Sequence, residues 1–404
     1  MIDILRAVLN RIVENYRAAF RGLSREIWFL SLISLVNRSG TMVVIFLAPY
    51  LTKQLGYEAS EAGNLLALYG LGNIAGIWLG GRLTDRFGFR PVIITSLLAT
   101  GTVLFALGQV QSPIAISIVI ALLGLVGETL RPATSVAIVI YSTPQNRTRA
   151  FGLLRLSLNL GLTIGPTLGG LLASYDYGLL FPVDALTCIS AGLLFVFVFP
   201  RHGGKFTAPT KAEKRSNSLW RDRLYLAALA LTFLHALTFF QLSSTFPLYL
   251  LEQRGWSERA FGALFAVNTM IIVLFEMVLV HAIEKRSPLK VVALASLLVG
   301  LGFGLTPYAT TAIALVGTVL LWTLGEMLAA PMMQTWVANR SNDSNRGQYL
   351  AAYSMVFSLT SVAAPWAGTR IYQHIGPDWV WHACLAIGVI AFLGFLKLAS
   401  IRES

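Results

Sequence analysis

Charged residues are scarce in this chain of 404 residues: aspartate, glutamate, lysine and arginine together make up 12% of it. A soluble globular domain has roughly 25%. Apolar residues make up 55%, and they fall in long blocks such as 114–126 and 385–396. Each block, with its flanks, supplies the roughly 20 residues that a helix needs to cross the hydrocarbon of a bilayer. The composition therefore excludes a soluble globule and predicts an all-α membrane protein.

Cysteine is nearly absent, and Cys188 and Cys384 both lie inside apolar blocks without metal-ligand spacing. They predict buried free thiols and no metal site. The net charge of +12 does not indicate nucleic acid, because the basic residues lie between apolar blocks rather than in one stripe. The sequence also lacks a nucleophile–base pair and a phosphate-binding loop, so we expect no enzyme, no catalytic residue and no cofactor.

A cleavable signal peptide is also missing from the N-terminus. Residues 1–26 instead have the pattern of an amphipathic helix, with apolar residues at helical spacing and arginines between them. Such a segment lies on an anionic leaflet with its apolar face down. The alternative interpretation is a disordered basic tail.

The apolar blocks predict twelve membrane-spanning helices. Their predicted ranges are 27–50, 61–82, 91–110, 113–138, 149–173, 178–200, 224–251, 259–283, 288–307, 310–337, 347–373 and 378–398. The chain would then divide into an N-terminal segment (1–26), a six-helix bundle (27–200), a linker (201–223), a second six-helix bundle (224–398) and a tail (399–404).

Basic residues concentrate in alternate loops between these helices. They are Arg82, Arg86, Arg90, Arg147, Arg149, Lys285, Arg286, Lys290, Arg340 and Arg346. The positive-inside rule assigns these loops to the cytoplasm. We therefore expect a multi-pass protein of the bacterial inner membrane with both termini in the cytoplasm.

The two halves of the chain repeat each other. Pro132 and Pro331, Gly56 and Gly255, and Asn146 and Asn345 are all offset by 199 residues. One shared offset across several helices and loops predicts two parallel six-helix repeats. In transporters built this way the substrate site lies near the bilayer midplane, between the repeats.

The loop after the second predicted helix reads Gly81-Arg-Leu-Thr-Asp85-Arg86-Phe-Gly88-Phe-Arg90. It resembles the signature G-x-x-x-D-R-x-G-x-[RK] of the major facilitator superfamily, a resemblance that extends over essentially the whole chain. The resemblance implies a gating loop that latches the cytoplasmic side and does not touch substrate. We expect Asp85 to pair with the surrounding arginines.

The fifth predicted helix carries a glycine-rich pattern. Its members are Gly161, Gly165, Pro166, Gly169 and Gly170. The pattern is similar to the antiporter motif found mostly in proton-coupled drug exporters of the same superfamily. Glycines spaced by four let a neighbouring helix pack closely, and the proline removes one backbone hydrogen bond. The alternative is a packing face without bearing on transport direction.

Three charged side chains, Arg38, Glu128 and Arg131, are predicted at membrane depth in the first and fourth helices. Each costs at least ~2.5–3.5 kcal/mol on insertion scales, so each needs a partner or a function. We expect them to form one buried cluster. It would either couple transport to protons or hold the first bundle together as a permanent salt bridge.

Three more titratable residues lie in the second half. Glu326 has no arginine one turn on, so we expect a lone carboxylate that is neutral much of the time and serves as a second proton or cation site. Glu276 is a candidate for the same cavity. His235 lies at cavity depth and either titrates near neutral pH or is satisfied by a neighbouring hydroxyl.

Aromatic and amide side chains are further candidates for the cavity wall. They are Asn37, Phe239, Phe240, Gln241, Asn268, Trp322, Gln334 and Trp336. An apolar cavity with few fixed charges suits amphiphilic or weakly cationic ligands.

The sequence thus favours a secondary transporter that exports drug-like or amphiphilic compounds by alternating access, driven by a proton gradient. The expected partners are a small-molecule substrate and the lipid bilayer, with a monomeric chain. The alternative is an importer or exchanger of a defined metabolite such as a siderophore, peptide or lysolipid. A dense polar network around Arg38 would favour that alternative, and an apolar cavity rim would favour export. A sensor that transports nothing is the third possibility.

Overall fold

A computed structural model describes residues 14, 16–57, 59–199, 219–256 and 258–403. Most of the predicted N-terminal segment 1–26 and of the predicted linker 201–223 lies outside these residues. The part of the chain that the structure describes holds no β-strand.

The described residues of the first half form six long helical elements. They are α1 (Arg25–Ser39, continued by Val43–Pro49), α2 (Ala59–Phe87), α3 (Phe89–Leu107), α4 (Pro113–Glu128, continued by Leu130–Tyr141), α5 (Arg147–Tyr175) and α6 (Leu180–Val198).

The second half repeats this order with six more. They are α7 (Arg223–Phe239, continued after a break by Thr245–Leu248), α8 (Glu258–Ile283), α9 (Pro288–Gly304), α10 (Ala312–Arg340), α11 (Arg346–His374) and α12 (Pro377–Glu403). Within the described residues, ten helical stretches are long and apolar enough to cross a membrane. Helices α2 and α8 have 29 and 26 residues, so the arrangement agrees with the twelve predicted.

The backbone confirms the internal repeat. A π-helical turn follows α1 at Tyr50–Gln54, and another follows the continuation of α7 at Tyr249–Gln253. Both turns lead to a glycine in the left-handed region, Gly56 with φ 72° and Gly255 with φ 63°. A side chain at either position would be strained, which explains why glycine recurs at the same repeat position.

The first helix of each half breaks at the same depth. Helix α1 is interrupted between Ser39 and Val43, and the Asp184 carboxylate of α6 accepts hydrogen bonds there from the N–H groups of Met42 (3.2 Å) and Val43 (3.1 Å). Helix α7 is interrupted after Phe239. Both breaks expose backbone groups that need partners inside the membrane.

Gln241, predicted at the cavity wall, instead braces the break in α7. Its amide Nε2 donates to the carbonyl of Ala364 in α11 at 3.1 Å, and its Oε1 accepts from Thr245 at 2.7 Å. The same amide donates to the carbonyl of Leu237 at 3.2 Å, so it satisfies buried backbone next to the break.

The apolar core joins the two halves at one end of the helix bundle only. We call this the basic end, because the loops that carry Arg86, Arg147, Lys285 and Arg346 lie there. One core cluster at the basic end combines side chains of both halves. Towards the opposite end each half has a separate core cluster of its own. The described conformation is therefore closed at the basic end.

Two tryptophans predicted at the cavity wall belong to these cores instead. Trp322 is 2% exposed and stacks on Phe303, with ring centroids 5.6 Å apart. Trp336 is fully buried and stacks on Tyr225 at 6.2 Å. Packing between helices removes both rings from water and fixes their orientation.

Candidate functional site

A buried arginine of the first half holds two carboxylates of the second half. Arg155 of α5 approaches the Oε1 atom of Glu276 in α8 with Nη1 at 2.6 Å. Its Nη2 lies 2.6 Å from Oε1 of Glu326 in α10. The side chain of Glu276 is fully buried, and those of Arg155 and Glu326 are 12% and 18% exposed. We call Arg155, Glu276 and Glu326 the central triad.

The charges of the central triad do not balance when both carboxylates are ionised. One guanidinium faces two carboxylates, which leaves one negative charge in a region of low dielectric. The Oε2 atom of Glu276 has no hydrogen-bond partner among the described residues. An excess buried charge is costly unless it is neutralised. The triad can therefore take up one proton or one cation.

The expectation that Glu326 is a lone carboxylate was wrong, because its arginine comes from the other half of the chain. Asn268 of α8 also approaches it, with Nδ2 at 3.5 Å from Oε2. The same amide donates to Thr323 at 2.9 Å. Asn268 is thereby placed beside the triad, where it orients Glu326.

A cavity of about 130 Å³ adjoins the central triad. Arg155, Glu326 and His235 contribute polar atoms to its wall. The rest of the wall is mainly apolar and includes Phe239. The other lining residues are Thr232, Val292, Ala329, Ala330, Met333, Tyr353, Phe357 and Phe395.

The histidine in this cavity wall is satisfied by a hydroxyl. Nδ1 of His235 lies 3.1 Å from Oγ of Ser296, and that hydroxyl donates to the carbonyl of Val292 at 2.9 Å. Because the hydroxyl proton is already engaged, the Ser296 oxygen accepts a hydrogen bond from Nδ1 of His235. This is one of the two outcomes that the sequence left open.

The predicted cluster of Arg38, Glu128 and Arg131 forms in part. Arg131 pairs with Glu128 one turn away, with Nε 2.9 Å from Oε2. Arg38 lines the same small cavity as Glu128, of about 70 Å³, together with Asn37. It makes no ion pair or side-chain hydrogen bond with a described residue, and its buried Nε has no partner. The structure thus gives a pair and a neighbouring arginine rather than one three-membered network.

The remaining candidates, Asn37, Phe240 and Gln334, do not line the cavity beside the central triad. Asn37 donates from Nδ2 to Sγ of Cys188 at 3.3 Å. Phe240 meets Phe239 edge to face at 6.0 Å, and Gln334 is half-buried on α10.

The glycines of α5 form the face on which α1 packs. A Cβ atom on Gly161 would lie 2.6 Å from Cβ of Arg38, and one on Gly169 would lie 2.9 Å from the ring of Phe46. Gly165 lies against the backbone at the break in α1. Pro166 lies inside the helix. Only Gly170 has room, with its nearest neighbour at 3.6 Å.

The loop signature closes the basic end, but not through its own arginines. Asp85 accepts hydrogen bonds from the N–H groups of Gly347 (2.7 Å) and Gln348 (3.1 Å), in the first turn of α11. The free N–H groups of a helix start attract a carboxylate more directly than flexible arginines do. A Cβ on Gly81 would lie 2.8 Å from the carbonyl of Gly347, so the two halves touch here.

The other positions of the signature support this contact locally. Gly88 has φ 83° and precedes α3, where a side chain would be strained. Arg90 donates from Nε and Nη2 to the carbonyl of Phe199 at 3.3 and 3.2 Å. Arg86 is exposed and lies over the ring of Phe87 at 5.0 Å. These contacts fix the turn between α2 and α3.

Sequence reasoning missed Arg155, the residue that connects the triad. It lies eight residues into α5, close enough to the basic loop to be taken for part of it. At ~1.5 Å per residue it is about 12 Å deep, a depth at which a charge needs a partner. That depth was the available signal. The repeat gave none, because the position 199 residues later is Ser354.

A family model described as "Major Facilitator Superfamily" matches residues 28–359 of the chain. A Na(+), Li(+), K(+)/H(+) antiporter of Planococcus maritimus is 28% identical, over 82% of this chain and 85% of its own. Multidrug resistance protein MdtH of Aeromonas hydrophila is 24% identical, over 91% of this chain and 93% of its own.

Among solved structures, a bacterial homologue of the iron transporter ferroportin in an outward-facing state superimposes with a TM-score of 0.76. The match covers 93% of this chain and all of that one, at 17% identity, so it concerns the fold alone.

Proposed function

This chain belongs to the major facilitator superfamily, and on that premise we propose that it exports amphiphilic, weakly cationic compounds in exchange for protons. The two halves would rock against each other around the central triad. By the positive-inside rule the basic loops favour the cytoplasmic side of a bacterial inner membrane, so in this proposal the conformation closed at the basic end faces outward.

The central triad carries this proposal. Its three side chains come from both halves of the chain, at distances of 2.6 Å on either side of Arg155. Opening the basic end separates α5 from α8 and α10, and this breaks both ion pairs. Separating buried opposite charges is costly while they stay charged. A proton on one carboxylate removes part of that attraction, so protonation eases the opening.

The same excess charge explains exchange. The ionised triad has one more carboxylate than guanidinium, so a proton or a monocation neutralises it, and both together would leave an excess of positive charge. A proton taken from outside would accompany the return to the inward-facing state. A cationic substrate taken from the cytoplasm would displace it and accompany the outward movement. Transport is coupled to protons because the proton and the cationic substrate compete for the same excess negative charge of the triad.

The cavity beside the triad supports the substrate class. Its wall combines the carboxylate of Glu326 with a mainly apolar surface that includes Phe239 and Met333. An apolar ring or chain of the substrate fits the apolar surface, and a positive group fits the carboxylate. Arg38 makes no ion pair or side-chain hydrogen bond with a described residue, whereas the binding site of an anionic metabolite would be expected to engage it in a dense polar network.

A second candidate is exchange of an inorganic monovalent cation for protons. It is favoured by the excess carboxylate of the central triad and by the Oε2 atom of Glu276, which has no partner among the described residues, since hard cations prefer oxygen ligands.

Purified full-length protein in liposomes that enclose a pH-sensitive dye tests the proposal. Tetraphenylphosphonium added to vesicles with an acidic interior should drive proton release in wild type. Glu326→Gln should abolish this proton movement, because the triad is then neutral without a proton. Asp343→Asn is the matched control, since this carboxylate is 79% exposed in a loop and pairs locally with Arg346.

A response to sodium or potassium but not to tetraphenylphosphonium would replace the first candidate by the second. A response to both that survives Glu326→Gln and Glu276→Gln would contradict the role of the triad. Proton movement driven only by an anionic metabolite would favour the import alternative.

A further inference from the structure

The segment 16–28 lies across the seam between the two halves at the basic end. It consists of a helical turn over 16–20, a reversal at Gly22 with φ 77°, and the start of α1 after the capping residue Ser24. The hydroxyl of Tyr16 donates to the carbonyl of Leu274 in α8, in the second half. Asn146, at the start of α5 in the first half, donates from Nδ2 to the carbonyl of Gly22 at 2.8 Å. The segment thus contacts both halves.

Arg149 of α5 ties this segment to the seam. Its Nη1 donates to the carbonyls of Ala18 at 2.9 Å and Arg21 at 2.8 Å. Its Nε lies 2.6 Å from Oε2 of Glu284, just after α8 in the second half. The side chains of Arg149 and Glu284 are 12% and 5% exposed. One guanidinium therefore joins the segment, the first half and the second half.

These contacts exist only while the basic end is closed. When α5 and α8 separate, the Arg149–Glu284 pair and the Tyr16–Leu274 hydrogen bond cannot both persist. A segment that contacts both sides of a closed seam shifts the equilibrium towards the closed state. The inner face of the segment is the face that makes these contacts, and it includes the fully buried Ala19.

The outer face of the segment is basic and aromatic. Arg17, Arg21 and Arg25 are exposed and recur every four residues. The ring of Phe20 stacks on Trp28, with centroids 5.7 Å apart and planes 26° apart. Trp28 is 44% exposed, at the start of the first membrane-spanning helix. Tryptophan at that level marks the interface between headgroups and acyl chains, and arginines beside it meet the headgroup phosphates.

We infer that the segment 16–28 is a strap whose outer face binds anionic phospholipid headgroups and whose inner face holds the basic end closed. Lipid binding orders the segment, and the ordered segment stabilises the contacts of Tyr16 and Arg149 across the seam. Phospholipid composition thereby sets the ratio of closed to open transporter. The inference is independent of the substrate and of the central triad.

Distances between spin labels on the two halves test it without any substrate. Gln145→Cys and Asp343→Cys place labels in exposed loops of the first and second halves at the basic end. The full chain is placed in nanodiscs of phosphatidylcholine alone, or of phosphatidylcholine mixed with phosphatidylglycerol. Phosphatidylglycerol should raise the ratio of short to long distances roughly tenfold, since each arginine near an anionic surface is attracted to it.

The variant Arg17→Gln/Arg21→Gln/Arg25→Gln should lose this dependence on phosphatidylglycerol. Its matched control, Arg221→Gln/Arg223→Gln/Lys285→Gln, removes three exposed charges elsewhere at the basic end and should keep it. Tyr16→Phe removes one hydroxyl of the inner face and should favour the long distance in both lipids.

An unchanged distance distribution when phosphatidylglycerol is added to wild type would overturn the inference. Equal loss of the lipid effect in the triple variant and its control would also overturn it, because a general surface charge would then suffice. If the protein shows no proton exchange while the lipid effect persists, the proposed function is wrong and the inference of a strap stands.

Discussion

Nη2 of Arg155 and Oε1 of Glu326 lie 2.6 Å apart, although the two residues belong to opposite halves of the chain. Glu276 takes the other side of the same guanidinium. In the proposed mechanism, this shared charge is released each time the seam opens. This distinguishes the central triad from ion pairs that stay within one half.

Removing the arginine should destabilise the protein strongly. Arg155→Met leaves Glu276 and Glu326 buried without a counter-charge, and breaking a buried pair in this way costs about 3–5 kcal/mol. We expect a lower unfolding temperature in detergent, and tryptophan fluorescence measures it. Adding Glu276→Gln should restore part of the loss. Equal unfolding temperatures of wild type and Arg155→Met would show that the carboxylates do not depend on this arginine.

Glu128 should be dispensable for coupling. It pairs with Arg131 within α4, so opening of the basic end leaves this pair intact. Glu128→Gln should therefore keep substrate-driven proton release in liposomes while lowering the unfolding temperature, because Arg38 and Arg131 lose their nearest carboxylate. Loss of proton release with normal stability would move the coupling site into the first half.

Adding one methyl group to the glycine face of α5 should disturb its packing on α1. The Cβ atom of Gly161→Ala would lie 2.6 Å from Cβ of Arg38, closer than packed atoms come, whereas Gly170→Ala meets nothing closer than 3.6 Å. Overpacking of this kind costs about 1–3 kcal/mol. Gly161→Ala should lower the unfolding temperature and the transport rate, and Gly170→Ala should leave both unchanged. Equal behaviour of the two variants would refute a packing role for Gly161.

Asp222 should make stability depend on acidic pH. It precedes α7, outside the spanning segment, and accepts hydrogen bonds from Arg340 at 2.7 and 2.6 Å and from the N–H of Tyr225 at 3.1 Å. Burial alone raises the pKa of Asp222, but these hydrogen bonds outweigh it and lower that pKa below its ordinary value.

The stabilisation that follows is present above the unfolded pKa of ~3.9 and is lost as pH falls through the lower folded pKa. Asp222→Asn should flatten the fall of the unfolding temperature in that acidic range. Asp343→Asn should leave this fall as in wild type, because Asp343 belongs to an exposed ion pair that contributes little to stability. If the unfolding temperature of Asp222→Asn still falls steeply at acidic pH, other carboxylates cause this fall.

Sequence patterns alone determined the medium, the repeat and the approximate course of the helices. Long apolar blocks have one physical solution, a spanning helix, because the bilayer leaves no other partner for backbone groups. The offset of 199 residues did not predict that π-helical turns form at Tyr50–Gln54 and Tyr249–Gln253. It did predict that these two segments occupy equivalent positions in the two halves. These features depend on neighbours along the chain.

Only the tertiary structure decided which groups meet. Glu326 has no local counter-charge, and its arginine lies 171 residues earlier in the sequence, on another helix and in the other half. Asp85 has arginines beside it and nevertheless binds the start of α11. Trp322 and Trp336 point into cores because the rotation of α10 is set by its neighbours. Charge partners and helix rotation depend on the packing of distant segments, which periodicity within one segment does not contain.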